Sequence, residues 1–410
     1  MNLAQRTAAI ANRKTARPPC PSVRLGEVLA HRKEFIRIDD TADYLRCRVQ
    51  LHAKGIVLRD RVEGALIKTK DQQVCRAGEF LVAEIDAKVG GFGVVPPELA
   101  GSLVSSHYFL FVVDSDRLDQ RFLDYYSKTP AFRDQVRAQG STNYAAIRPS
   151  HVLGYTIPLP PLPEQRRIVA KLDRLNTALA DANERRRDAI HAATRLPTAH
   201  AAALFQRLSV RYGRRPFASF SPHVTSGPRN WAKHYQTSGL RFYRAQDIGA
   251  FGRVCQDSKV FVAAPPGDQA SGAILRDGDL MIVITGATVG RVAVYRSALE
   301  PGLVSQHVAI CRLPTSDVDP TFVLWGLRSA NGQAQLLGQR YGQGKPGLNL
   351  SNIRALALPF PPRVEQTRIA SELNRLQEQA DQLVGSQQAS GGELDALMPA
   401  LLDRAFRGEL

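Results

Sequence analysis

The run EIDAK sets Glu84, Asp86 and Lys88 within five positions. Two carboxylates and an amine at that spacing can hold a Mg2+ ion and polarise a phosphate, as the acid-x-Lys element of metal-dependent nucleases does. Two hundred residues on, the corresponding positions are Ile284, Gly286 and Thr288, which can do neither. A Mg-dependent nuclease on Glu84/Asp86/Lys88 is therefore the secondary expectation. Ser105 with His107, and Ser305 with His307, twice pair a nucleophile type with a base type. A working pair needs an acid to orient the imidazole, and no such acid is identifiable; a histidine within a strand is more commonly a hydrogen-bonded structural residue. The phosphate-loop resemblances fail on spacing. GQGKP around Lys345 has proline where a P-loop needs Ser or Thr, and GGFG at 90–93 lacks the G-x-G-x-x-G pattern.

Cys20, Cys47, Cys75, Cys255 and Cys311 are scattered without a CxxC pair. Neither a zinc knuckle nor a disulfide framework is expected, and a reduced, cytoplasmic compartment fits. Charge is more informative: 54 Lys and Arg against 38 Asp and Glu leave a net +16 over 410 residues. A field of that sign favours a polyanionic partner, nucleic acid above all. The chain contains no apolar run of the ~18 residues a membrane span needs. Its opening, MNLAQRTAAIANRKTARPPCPS, is a basic tail without the apolar stretch of a secretion signal.

The elements that would carry such a charge come in duplicate. PLPPLPEQRRIVAKLDRL from Pro158 returns as PFPPRVEQTRIASELNRL from Pro359, with Gln165 over Gln366. AGEFLVAEIDAKVGGFGVV from Ala77 lies over DGDLMIVITGATVGRVAVY from Asp277, and LVSSH ending at His107 over LVSQH ending at His307. LPTAHAAALFQRL from Leu196 matches LMPALLDRAFRGEL from Leu397. Two modules of about 200 residues thus account for nearly the whole chain. Runs rich in Val, Ile, Phe and Tyr and bounded by Gly, Asp or Pro predict strands at EGALIKTK, GEFLVAEID and SHYFLFVVD, then at DLMIVIT, RVAVY and HVAICRL. RFLDYYSKTPAFRDQVRAQ and TFVLWGLRSANGQAQLLGQ predict short helices between them.

Each proline run ends a strand and opens a helix, where Glu164 or Glu365 complements the helix dipole. Ile168, Leu172, Leu175, Leu179 and Ala182 follow in steps of four and three, as do Ile369, Leu373, Leu376, Ala380 and Leu383. That period is a coiled-coil seam, so the two helices are expected to pack on each other. Glu164 to Leu196 spans roughly 50 Å at about 1.5 Å per residue. Pro197, Pro399 and Gly391-Gly392 are expected to kink or interrupt the rods.

These residues resemble the specificity subunits of type I restriction–modification systems. The resemblance rests on the two proline–Glu-Gln helix starts, the closing AFRGEL, and stretches such as FYRAQDIGAFGRV and LRDGDLMIVITGATVGRVAVY, and it covers about residues 22 to 410. It implies a mixed α/β (α+β) fold with a pseudo-twofold repeat. Two similar target-recognition domains would be separated by two long antiparallel coiled-coil helices. The expected layout is a basic tail 1–21, domains 22–160 and 209–360, and spacer helices 161–208 and 361–410. It implies a non-catalytic chain in which each domain reads one half of a split, asymmetric double-stranded DNA target. Two adenine methyltransferase subunits, and in the restriction complex two translocating endonuclease subunits, would be recruited. No cofactor is then expected on this chain, with S-adenosylmethionine, ATP and Mg2+ on the partners. The absence of an NPPY-like adenine methyltransferase motif agrees. The basic tail and the double glycine at 391–392 are departures from the family pattern.

Bases are read by Arg, Lys, Asn and Gln at groove edges, while other cations hold phosphates. In the first domain the candidates are Lys68 and Lys70, expected on one strand face, then Lys88, and Asn143, Tyr144 and Arg148 of GSTNYAAIR. In the second they are Arg244, Gln246 and Arg291, with Gln343, Lys345 and Asn349 of YGQGKPGLNLSN. The plainer alternative for each is a solvated surface charge.

Overall fold

The computed structural model describes residues 21–137, 146–229, 231–263, 272–338 and 347–410. The chain divides into two compact units, one made of the residues up to Arg185 with Ser390–Leu410, the other of Arg186–Ala389.

In the first unit, Ser22–Arg24 pairs antiparallel with Thr156–Pro158 and ties the ends of the mixed region together. Between them lies an antiparallel sheet in the order Leu29–Arg32, Tyr108–Val113, Phe80–Ala83, Phe92–Val94. Its central strand Phe80–Ala83 is an unbroken apolar run, buried at every position because both faces are covered there. Phe80, Val82 and Phe111 bury in a core shared with the helices, whereas Leu81, Ala83 and Leu110 bury against a second sheet. That second sheet orders Ile36–Arg37, Asp71–Val74, Leu103–Val104, Asp43–Gln50 and Gly55–Glu63. Helices α1 (Gln120–Ser127), α2 (Pro130–Arg137) and α3 (Pro149–Gly154) follow, so the helix expected from Arg121 comes as two. The strand expected at EGALIKTK is not formed. Gly64–Leu66 makes a turn of 3-10 helix instead, because Gly64 sits against the Asp39 carbonyl where no side chain fits, and pairing resumes at Asp71.

The second unit repeats the frame. Arg215–Pro216 pairs with Ala357–Leu358, and a sheet runs His223–Ser226, Val308–Arg312, Leu280–Val283, Val292–Val294. Alternate residues again serve two cores: Leu280, Ile282, Ala309 and Cys311 face the helices, and Met281, Val283, Val308 and Ile310 face the other sheet. That other sheet, Tyr235–Gln236, Phe261–Val262, Leu240–Tyr243, Gly302–Val304, has shorter strands than its counterpart. Helices α5 (Pro320–Arg328), α6 (Ala330–Gly338) and α7 (Leu350–Ala355) complete the frame.

The repeated Glu-Gln phrase has a mechanical cause. Gln165, fully buried, accepts from the Asp119 amide at 2.8 Å and donates to the Arg117 and Pro160 carbonyls, both at 2.8 Å. Gln366 accepts from the Asp319 amide at 2.9 Å and donates to Asp317 and Pro361 at 3.0 and 2.9 Å. One side-chain amide thus joins the proline stop, the long helix and the N-cap aspartate of α1 or α5. A carboxylate or an apolar group could not both donate and accept there.

Two long helices, α4 (Leu162–Tyr212) and α8 (Arg363–Phe406), contribute to both units. Within the first unit, Ile168 and Leu172 of α4 share a core with Leu402 and Ala405 of α8. Within the second, Ile369 and Leu373 of α8 share one with Ala201, Phe205 and Leu208 of α4. The start of each helix therefore meets the end of the other, an antiparallel pairing. In the second unit it is extended by Tyr212 Oη donating to Glu365 at 2.8 Å and by His200 against Glu372 at 3.2 Å. The second repeated phrase is thus the mate of the first. Of the expected seam, Leu175, Leu179 and Leu376 are half-buried, but Leu383 is 44% exposed and the inward position beside it is the half-buried Val384. Both helices continue through their prolines, Pro197 and Pro399, and are not interrupted there. A proline forfeits one backbone hydrogen bond, which the neighbouring turns of so long a helix can absorb. No helix among the described residues is long and apolar enough to cross a membrane.

Candidate nucleic-acid interface

Backbone hydrogen bonds gather several candidates of the first unit at one edge. The Glu84 amide donates to the His107 carbonyl and the Ile147 amide to the Glu84 carbonyl, both at 2.9 Å, which brings exposed Arg148 beside the Glu84–Lys88 turn. Lys88 is half-buried in the 3-10 turn Asp86–Val89. Lys68 and Lys70 share no strand. Lys68 is exposed and without an ion-pair partner among the described residues, while Lys70 Nζ is held by Asp40 and donates to the Gly64 carbonyl at 2.8 Å. That engagement suits Lys70 to bracing the turn rather than to meeting a ligand. Asn143 and Tyr144 lie outside the described residues, as do Gln343 and Lys345.

In the second unit several candidates are also engaged internally. Arg244 pairs with buried Asp247 at 3.0 Å and donates to the Ser258 carbonyl at 2.5 Å. The Gln246 side-chain amide lies against the same guanidinium, 3.1 Å away. The Asn349 side chain caps α7, accepting from the Asn352 amide at 2.8 Å. Arg291 is exposed, with one long contact of 3.4 Å to the Ile248 carbonyl. Sequence reasoning passed over Arg241, which is fully buried, paired with Glu300 at 2.8 Å and stacked on Tyr243. Lys259 and Arg241 together hold the Glu300 carboxyl down at about 2.

The motifs that suggested catalysis resolve into structural contacts. His107 does have an acid partner, Glu84, 2.8 Å from Nδ1, which the sequence did not reveal because 23 residues separate them. No hydrogen bond joins the Ser105 hydroxyl to that ring among the described residues. His307 takes Thr285 as the equivalent partner at 2.5 Å. No group of three or more His, Cys, Asp or Glu able to hold a metal occurs among the described residues. A cavity of about 1180 Å3 in the first unit has a mainly apolar lining that includes Phe122, Pro160, Ile168 and Phe406, with Arg117 and Arg407 beside Asp116 and Glu164.

Sequence reasoning also missed the hairpin Asp43–Gln50/Gly55–Glu63, which carries Arg46, Arg48, Lys54, Arg59 and Arg61. Its signal was present as one pair of arginines two residues apart in each strand, Arg46 with Arg48 and Arg59 with Arg61.

Comparison with known proteins agrees with this frame. Residues 32–192 match the family described as the type I restriction modification DNA specificity domain. Over 326 residues the chain is 24% identical to the type I restriction enzyme EcoBI specificity subunit of Escherichia coli, covering 73% of this chain and 67% of that one. It is 22% identical over 313 residues to the StySPI specificity subunit of Salmonella potsdam, covering 72% and 66%. Among solved structures, the HsdS subunit from Thermoanaerobacter tengcongensis superposes with a TM-score of 0.65 at 23% identity, over 97% of this chain and 99% of that one. A chain solved in work on complex assembly and conformational transition of the type I R-M system gives 0.73 at 23% identity, over 97% and 100%. Residues 32–192 thus match the model of that DNA specificity domain, and the chain as a whole is similar to type I specificity subunits.

Proposed function

We propose that the chain reads a bipartite, asymmetric DNA target. Residues 22–160 take one half-site and residues 209–360 the other, while the helices 161–208 and 361–410 set the spacing. The observation that carries this reading is one frame built twice with different second sheets: the same scaffold presents two different surfaces. In this reading the chain recruits two adenine methyltransferase subunits and, in the restriction complex, two restriction subunits. S-adenosylmethionine, ATP and Mg2+ belong to those partners.

Mapping of methylated adenines in cells expressing the chain with its methyltransferase tests the reading. A split motif with two unlike halves is expected, and a single contiguous or palindromic motif would overturn it. Methyl transfer by the lone chain would equally count against it. Binding of the target duplex should weaken steeply with salt, because each neutralised phosphate releases counterions.

A further inference from the structure

The hairpin Asp43–Glu63 is the longest departure of the first unit from the shared frame. Its strands are eight and nine residues long, whereas the described strands of the second unit's corresponding sheet have two to four. A shared frame cannot distinguish two half-sites; an element present in one unit can. Two strands of this length form a ribbon of roughly 27–30 Å at about 3.4 Å per residue, and the major groove of B-DNA admits a two-stranded ribbon.

The tip of this ribbon is held in place. His52 and Ala53 lie at φ of 65° and 58°, two successive residues with side chains in the left-handed region. Such backbone persists only where its surroundings over-determine it, and it concentrates at functional sites. Here the His52 amide donates to the Val89 carbonyl at 2.7 Å and the Ala53 amide to the Gly90 carbonyl at 2.9 Å. A Cβ on Gly90 would stand 2.5 Å from the Ala53 nitrogen, so glycine is required for the approach. The tip is thereby docked on the turn that carries Lys88 and neighbours Arg148.

The cations of the ribbon are in excess. Arg46 is matched by a two-pronged bond to Asp60, 2.7 Å at each prong. Among the described residues Arg59 has only the same, already engaged carboxylate at 3.6 Å. It is also the extra residue of a bulge, since Arg46 pairs with Asp60 and Cys47 with Leu58. Bulges re-aim side chains and are common beside sites. Arg48 and Lys54 are exposed and have no ion-pair partner among the described residues. The charges of Arg48, Arg59 and Asp86 all act on the half-buried Tyr108 phenol, which places ribbon and turn around one spot.

We propose that this ribbon enters the major groove of the first half-site, with Arg48 and Arg59 reading base edges and Lys54 holding a phosphate. The inference rests on the DNA-reading function proposed above. The double variant Arg48→Ala/Arg59→Ala of the full chain, expressed with its methyltransferase, is compared with wild type by mapping methylated adenines. The first half of the motif should become degenerate, by roughly tenfold or more in preference per lost arginine contact, while the second half stays intact. An unchanged motif, or loss confined to the second half, would overturn the proposal. If methylation is abolished, Arg48→Lys/Arg59→Lys decides: relaxed preference at the first half alone supports the ribbon, and equal loss at both halves refutes it. Lys54→Ala should weaken binding to every duplex alike and reduce the salt slope by about one; an unchanged slope removes Lys54 from the phosphates. If the wild type methylates no split motif, the bipartite function itself fails, a result distinct from any of these.

Discussion

Gln165 and Gln366 each place three hydrogen bonds in a site without water-facing surface. Removing the amide strands a buried N–H and two carbonyls, which costs about 2–4 kcal/mol. Gln165→Ala and Gln366→Ala should each lower stability by that amount in urea unfolding, and Glu at either position should fare no better because it cannot donate. Glu300 offers a pH test. Its carboxyl is held at about 2 against an ordinary 4.5 by Lys259 and Arg241. The folded value lies below the unfolded one, so the stabilisation is present above about 4.5 and fades as pH falls towards 2. Glu300→Gln should therefore lower the unfolding midpoint near neutral pH and make progressively less difference in acid. A difference that grew in acid would contradict the assigned contacts. Thiols divide in the same physical way. Burial pushes Cys311 up to about 12, whereas Cys255 is exposed. Brief alkylation of the native chain, mapped by mass spectrometry, should label Cys255 and spare Cys311.

At the scale of elements, helix α8 carries glycines it does not need for packing. A Cβ at Gly385 or Gly392 meets nothing within 4 Å. Gly385→Ala and Gly392→Ala should each stabilise by about 0.5–1 kcal/mol, since an exposed helical glycine costs that much relative to alanine. Gly326 in α5 is the opposite case, because its Cβ would stand 2.6 Å from Leu358 and 2.7 Å from Phe205. Gly326→Ala should destabilise, and thermal melts of the three variants check both signs. The long helices were legible from their apolar steps and proline starts because local periodicity alone writes that pattern. Their antiparallel direction came from the resemblance and not from the steps: Ile168 and Leu172 pack with Leu402 and Ala405, and Ile369 and Leu373 with Ala201, Phe205 and Leu208. Antiparallel pairing is a long-range choice that periodicity cannot encode.

For the whole molecule, the two-unit division predicts modular exchange. On the proposed function, replacing residues 22–157 with the equivalent part of a type I specificity subunit should change one half of the methylated motif and leave the other, read out by the same adenine mapping; a change in both halves would exclude independent units. The duplication, the strand–proline–helix punctuation and the net positive charge were determined by the sequence itself, because each depends on residue type and on spacing along the chain. The family resemblance belongs to the same class, whereas the sharing of continuous apolar strands such as Phe80–Ala83 and Leu280–Val283 between two cores appeared only in the structure. What only the tertiary structure decided is which cations are available. Lys70, Arg244 and Asn349 look like surface candidates in sequence and are engaged by Asp40, Asp247 and the start of α7. Arg48 and Lys54 drew no attention in sequence and stand exposed on a docked ribbon. The physical reason is common to all five: a side chain's freedom depends on partners from distant positions, and distance in the chain carries no record of proximity in the fold.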